Sequence, residues 1–501
     1  MSAAPPVSVS SIPAPPADRR TWIGLAVLML PVLLVSMDFS VLYLAMPTIV
    51  ASLDPTATQQ LWILDIYGFM IAGLLITMGN LGDRIGRRLI LLVGAAVFGG
   101  ASVLAAFAPG PEALIAARAL MGLGGATLMP ASLALIANMF PDSRQRGRAI
   151  GIWTSAFAGG AAIGPVLGGI LLHHYWWGVV FLINVPVLAI LFAIGLAILP
   201  EFRATSTAPF DVLGVILSLL GILPAVYAVK AFATAGPSPQ AIGAALFGLA
   251  MLVAFLWHES RAAAPLLNLR LFRNATFSAC LAVALVGMMS EGGIAYLTNT
   301  YLQSVLGHDV LAAALAGLPM AVTIAAFSIL AERVARLIGP RSALAGSAAL
   351  AGIATIGLLA LGTSSSLWIF MALTAVAGIG FGIQFALVTD IVVGSVPPKH
   401  SGAASGISET SFELGTALGL AVLGSVATAV FLADDDGHGF ADSLGETLKQ
   451  AAELGGAGDA PALAAKSAFV DGLHVAALAG GSTLLVLSAV VYVVMRGSRS
   501  A

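Results

Sequence analysis

Apolar runs of about twenty residues recur along almost the whole chain, the length a helix needs to cross the roughly 30 Å hydrocarbon core of a bilayer. Short links between them carry most of the charge. Backbone polar groups in lipid must be satisfied within the protein, which leaves helices or a closed barrel. The runs are continuous and lack the alternation of barrel strands, so they select helices. With 59% hydrophobic and only 9% charged residues, a water-soluble globule is excluded. The expected fold class is an all-α polytopic membrane protein.

The runs predict membrane-spanning helices over 22–47, 60–80, 89–108, 112–137, 147–172, 178–199, 210–230, 240–257, 275–302, 310–331, 341–361, 366–392, 401–430 and 468–494, fourteen in all. An even number puts both termini on one side. With the N-terminus in the cytoplasm, 18 of the 22 Lys and Arg collect there, as cytoplasmic links require. Only Lys230, Lys449 and Lys466 fall outside, and Arg118 lies within a span. The expected location is the cell membrane, multi-pass, with cytoplasmic termini.

The spacing fits an N-terminal six-helix half (22–199), two inserted helices with linkers (200–274) and a C-terminal six-helix half (275–495). Tails at 1–21 and 496–501 flank them, the first rich in Ala, Pro and Ser and read as disordered. The link Gly339-Pro340-Arg341 echoes Gly86-Arg87-Arg88, with Arg336 where an acid is expected. Repeated halves place a transport pathway at their interface. The outer stretch 431–467 holds Asp434-Asp435-Asp436 and a short amphipathic helix around 440–454. It is either a solvated loop or an acidic vestibule lip whose field favours cations. The single cysteine, Cys280, excludes an internal disulfide framework.

Charged residues inside spans are the candidate functional groups, because a carboxylate at a helix centre costs about 2.5–3.5 kcal/mol. Asp38, Asp65 and Arg118 lie about 13, 8 and 9 Å below the outer surface at a rise of 1.5 Å per residue. Similar depth in one half suggests a switchable ion pair coupling proton binding to conformation; the alternative is a static structural pair. Glu409 and Glu413 share one helical face and can hold a lipophilic cation, exchange protons, or both. Glu291, beside Gly292 and Gly293, is a substrate-binding candidate from the second half. Trp62, Tyr67, Trp153, Phe157, Tyr296 and Phe385 are placed to complete a cation site by cation–π attraction; each alone is otherwise an ordinary packing or interface residue. Asp390 lies within snorkelling reach of Lys399 and reads as structural. Gly160, Gly164 and Gly168 form a flat ridge for close helix approach, and Pro165 removes a backbone donor. That combination reads as a hinge and seal.

Four stretches carry a family resemblance. Gly79-Asn80-Leu81-Gly82-Asp83-Arg84-Ile85-Gly86-Arg87-Arg88 resembles the conserved loop of the major facilitator superfamily. Met37-Asp38 through Ala45-Met46-Pro47, Arg118 through Ala126, and Gly160 through Gly169 resemble the first-, fourth- and fifth-span motifs of its fourteen-span drug/proton antiporters. Trp62 through Tyr67, Phe181 through Pro186, and Glu409 with Glu413 are most similar to quaternary-ammonium efflux pumps of the QacA type. Where many relatives carry Trp-Arg-Trp, this chain has Trp177-Gly178-Val179, and no role is carried over there.

The resemblance implies a major facilitator fold and a proton-coupled antiporter exporting lipophilic cationic drugs, dyes and quaternary ammonium compounds. It implies no cofactor beyond the proton gradient, no nucleic-acid partner and a monomer in lipid. Gly79, Asp83, Arg84, Gly86 and Arg87 would be gating residues, with Asp83 meeting the start of the thirteenth span near Ser401, where the helix dipole favours an anion.

No nucleotide loop Gly-x-x-x-x-Gly-Lys-[Ser/Thr], His-Glu-x-x-His or Gly-x-Ser-x-Gly occurs. The run Gly378–Gly382 is inside a span and reads as helix packing, and His173 and His174 read as surface residues. Export of one metabolite or antibiotic is the competing transport reading. A membrane sensor would need no row of span carboxylates, and an enzyme should show a nucleophile and base.

Overall fold

The computed structural model describes residues 17–495 except 56, 204–210, 236–237, 263–264, 266, 268, 398–399, 435–438, 442 and 455–457. Residues 1–16 and 496–501 of the tails, Asp435 and Asp436 of the acidic run, Lys399, and the side chains of Asp65 and Pro165 lie outside the description. The rest of the first tail is not the expected disordered segment, since Asp18 accepts from the Thr21 N–H and starts α1 at Arg19. The described residues form helices and no strand: α1 Arg19–Leu53, α2 Ala57–Ile85, α3 Arg87–Ala106, α4 Pro111–Met139, α5 Ser143–His174, α6 Val179–Leu182, α7 Asn184–Ile198, α8 Val212–Ala235, α9 Pro239–Glu259, α10 Ala275–Thr300, α11 Val310–Ile338, α12 Pro340–Ile356, α13 Leu367–Gly394, α14 Ser401–Ala433, α15 Leu444–Glu453 and α16 Asp459–Val494. Among the described residues fourteen segments are long and apolar enough to cross a membrane, α6 and α7 together making one. Short polar residues start several of them. Asp142, Asp309 and Ser238 each accept a hydrogen bond from the N–H three residues on, relieving donors that the helix itself leaves unpaired.

Several boundaries differ from the sequence expectation, α11 for one running seven residues further, to Ile338. α16 starts nine residues early, because the alanine-rich stretch after Asp459 is a strong helix former and buries Ala465 and Ala468. α1 continues past Pro47 to Leu53, ending on Asp54 in the left-handed region at φ 46°. The amphipathic segment forms α15, which buries Leu444, Thr447 and Ala451 and packs on α16.

Two sets of helices repeat one packing pattern. α1 packs on α5 and α7, α2 and α3 on α4, and α3 on α7. In the same order α10 packs on α14 and α16, α11 and α12 on α13, and α12 on α16. The links after α2 and α11 match as well: Gly86 and Gly339 both take positive φ, 123° and 86°, a conformation that favours glycine. The sets meet along two seams, α2 with α14 and α5 with α11. The inserted helices α8 and α9 pack closely on each other where Gly221 and Gly248 leave room, a Cβ at Gly248 standing 2.8 Å from the Ala225 nitrogen. α8 also lies against α2 and α14, so it covers one seam only.

Candidate functional site

Both seams close on the face that bears Ala17 and Met495, the first and last described residues. At the first, a Cβ on Gly79 would stand 2.3 Å from the Gly402 carbonyl oxygen and one on Gly406 2.7 Å from that of Leu75. At the second, a Cβ on Gly151 would stand 2.2 Å from the Ser328 carbonyl oxygen. Only glycine lets the backbones touch at such distances. Asp83 is buried between the sets. Its Oδ1 accepts from Arg87 Nη2 at 2.7 Å and Nε at 2.9 Å, and its two oxygens accept from the Gly402 and Ala403 N–H groups at 3.1 Å. These are first-turn donors of α14, with no partner inside the helix. Arg84 donates to Asn80 at 3.0 Å, and the Gly86 turn lets Glu201 accept from the Arg88 and Leu89 N–H groups at 3.1 Å.

Beyond the closed face lies a cavity of about 400 Å³ between the two sets. It runs from Asn299, Leu302 and Ala313 near the opposite face down to Met129 and Thr389. Glu291 of α10 and Glu409, Phe412 and Glu413 of α14 line one side; Trp153 and Phe157 of α5 and Phe385 of α13 line others. Three acids thus enter a mainly apolar and aromatic space, with a few threonines and Asn299, whose described lining holds no basic side chain. Glu409 is 4% exposed, and its Oε1 has no hydrogen-bond partner. Trp153 donates its ring N–H to Ser132 at 2.9 Å, which fixes the indole in place, and Phe385 stacks on Phe381 and meets Phe412 edge-on.

Asp38 and Arg118 form a buried ion pair, Arg118 Nη1 donating to Asp38 Oδ2. Arg118 Nε donates to the Ile63 carbonyl at 3.3 Å, and its guanidinium carbon sits 4.5 Å from the centre of the Tyr67 ring. The glycine ridge of α5 positions this pair. Gly160 and Gly164 admit Ser36 and Ser40 of α1, whose hydroxyl oxygens lie 2.0 and 2.1 Å from where a Cβ would be. Asp38, midway between those serines, is thereby turned the other way, toward α4.

Of the predicted aromatics, three reach the cavity and three do not. Tyr67 is fully buried beneath Arg118, within electrostatic reach of Glu413. Trp62 stacks on Tyr227 of α8 with centroids 6.3 Å apart, held there by the inserted helix. Tyr296 is 54% exposed and does not line the cavity; its neighbour Ala295 takes the inward position. Asp390 pairs with Arg146 of α5 at 2.9 Å, a cross-set partner that local spacing could not supply. Gly378, Gly380 and Gly382 receive α11 and α12 closely, and His173 and His174 are exposed. Phe412 escaped the sequence reading, although its place beside Glu413 was an available signal.

The geometry defines a class: a polytopic carrier whose two repeated helix sets enclose a cavity closed on one face. The sequence profile described as the Major Facilitator Superfamily matches residues 28–420. The multidrug efflux pump LfrA of Mycolicibacterium smegmatis is 38% identical over 95% of this chain and 97% of its own. The methyl viologen resistance protein SmvA of Salmonella typhimurium is 31% identical over 94% of this chain and 97% of its own. The solved human organic anion transporter MFSD10 (TETRAN) superposes with a TM-score of 0.63 over 96% of this chain and all of that one, at 16% identity, a likeness of fold alone. The chain belongs to the Major Facilitator Superfamily and is a multi-pass membrane transporter of small molecules.

Proposed function

We propose that this transporter exports lipophilic cations in exchange for protons, with both termini in the cytoplasm and the two repeated helix sets rocking as halves. Drug export is the activity for which its full-length relatives are named. The observation that carries the cation reading is the cavity lining: Glu291, Glu409 and Glu413 among mostly aromatic and aliphatic side chains, with no basic group among the described residues that line it. A hydrophobic cation gains from the aromatic faces and from the carboxylates, while an anion gains from neither. A relative named for resistance to methyl viologen, a bis-quaternary cation, agrees with this.

Proton coupling is assigned to Asp38 and Arg118. Protonating Asp38 leaves a buried guanidinium without its counter-charge, and breaking a buried pair costs about 3–5 kcal/mol. That approaches the roughly 5.5 kcal/mol that turns a 1:99 equilibrium into 99:1. A cation among the glutamates competes with protons for the same carboxylates, and Tyr67 links the two sites. In this reading the Asp83 cap on α14 latches the outward-open state.

The test is efflux of a fluorescent cation from loaded cells. Wild-type export should stop with a protonophore, and Asp38→Asn should abolish it while Glu413→Gln weakens it for cations. Export that survives collapse of the gradient would sink the coupling. A neutral or anionic dye exported equally well would favour carriage of some other metabolite or antibiotic.

A further inference from the structure

A second constellation of ligand-type side chains lies away from the cavity, where the inserted helices end. Asp211 immediately precedes α8, and His258 and Glu259 finish α9. His258 Nε2 lies 2.8 and 2.9 Å from the two Asp211 carboxylate oxygens, and Asp211 Oδ1 also accepts from the Gly214 N–H at 2.8 Å. Glu259 is 3% exposed. Its Oε2 accepts from the Leu267 N–H at 2.8 Å, while its Oε1 has no hydrogen-bond partner. That orphan oxygen is aimed into the cluster: a Cβ on Gly214 would stand 2.6 Å from both Glu259 Oε1 and Asp211 Oδ2. Ligand atoms of all three residues lie within 4.8 Å of one another. Two carboxylates turned toward each other beside an imidazole, one of them desolvated with an oxygen left unbonded, call for a cation between them.

We propose that Asp211, His258 and Glu259 bind one divalent first-row transition-metal ion. The imidazole selects against magnesium and calcium, which take all-oxygen shells, and for ions of the zinc type. Two carboxylates neutralise a divalent charge, and three protein ligands leave a fourth position for water. His258 and Asp211 keep part of their surface exposed, which supplies an entry path. Through the Leu267 hydrogen bond the ion would tie the start of α8, the end of α9 and the link to α10 into one unit. This site is independent of the export reading, because no cavity residue contributes to it.

The experiment uses the full-length protein, purified in detergent without a histidine tag, stripped with chelator and titrated with Zn²⁺ by calorimetry. Elemental analysis after gel filtration gives the stoichiometry. One Zn²⁺ per chain is expected, together with a rise in Tm on Zn²⁺ addition. Glu259→Gln and His258→Gln should each weaken binding by more than about 100-fold, beyond what losing a mere supporting partner costs. His173→Asn with His174→Asn should leave it unchanged. Binding well below one per chain, as a carboxyl pair sharing a proton would give, overturns the proposal. So does equal binding by the wild type and His258→Gln, the variant least expected to disturb folding, or loss of binding in the His173/His174 double variant.

Discussion

At one seam α2 meets α14, and at the other α5 meets α11. The two share a backbone plan and differ in what fastens them. Leu75 and Ser328 lie eleven residues before Gly86 and Gly339 respectively, and each offers its carbonyl to a glycine of the facing helix, Gly406 or Gly151. The fastening diverges at the next turn. Asp83 caps two N–H groups of α14, whereas Arg336, at the matching place on α11, folds back onto Glu332 at 2.7 Å. Helix phase supplies the reason. α14 begins at Ser401, so Gly402 and Ala403 present unsatisfied donors at the seam. α5 begins at Ser143, and Arg146 N–H already bonds to the Asp142 carbonyl at 2.9 Å, so at the corresponding depth α5 has no free donors to offer. Beside that seam α5 is fastened to the other set by side chains instead, Arg146 reaching Asp390 of α13. A backbone cap thus holds the start of α14 to the set opposite it, and a side-chain ion pair holds the start of α5 to the set opposite it.

Adding one methyl group tests the shared part. Gly79→Ala and Gly151→Ala each drive a Cβ into a backbone oxygen at 2.3 and 2.2 Å, and neither oxygen can move without its helix. Both variants should lose export almost completely and to the same degree. In a Cys280→Ala background, a cysteine introduced at Ser328 or Leu75 should be alkylated several-fold faster in them than in the parent. Normal export by either variant would mean that close approach at that seam is dispensable.

The differing part separates next. Asp83→Asn removes the charge from two bonds to helix donors and from the Arg87 pair, and charged hydrogen bonds contribute about 1.5–3 kcal/mol each. Asp390→Asn should cost about 1 kcal/mol, since both partners of that pair keep 20% of their side-chain surface exposed. Thermal unfolding in detergent should rank them in that order, and the reverse order would show that the ion pair is the stronger clasp. The smallest effect is expected from Arg336→Asp. If free donors are what an acid needs, this substitution creates no second cap, and Tm and export should stay near wild type. A clear gain in stability would break the helix-phase argument.

The Asp38–Arg118 pair offers a check on coupling that does not involve the seams. Asp38→Asn should lower stability by about 3–5 kcal/mol by leaving Arg118 buried and unpaired. Adding Arg118→Gln should restore most of that stability without restoring export. Uphill transport by the double variant would remove the pair from the coupling step.

The sequence by itself determined the crossings, the helical class and the places where acids enter the membrane. Those follow from hydropathy over about twenty residues and from the cost of a carboxylate in lipid, both local along the chain. It also made the glycine ridge of α5 legible, because a four-residue period is a property of one helix. Which residues meet across helices was decided only by the tertiary structure. Glu291, Glu409, Glu413, Trp153, Phe157 and Phe385 reach one cavity, whereas Tyr67 turns beneath Arg118 and Trp62 onto Tyr227. Rotation of a helix about its axis, set by its neighbours, chooses between those fates, and an apolar helix carries little polar pattern to fix that rotation in advance. Asp390 found Arg146 for the same reason, its partner lying on a helix of the other set far away along the chain. The contact of Asp83 with the start of α14 was foreseeable only through the family resemblance, because nothing local to either stretch points to it.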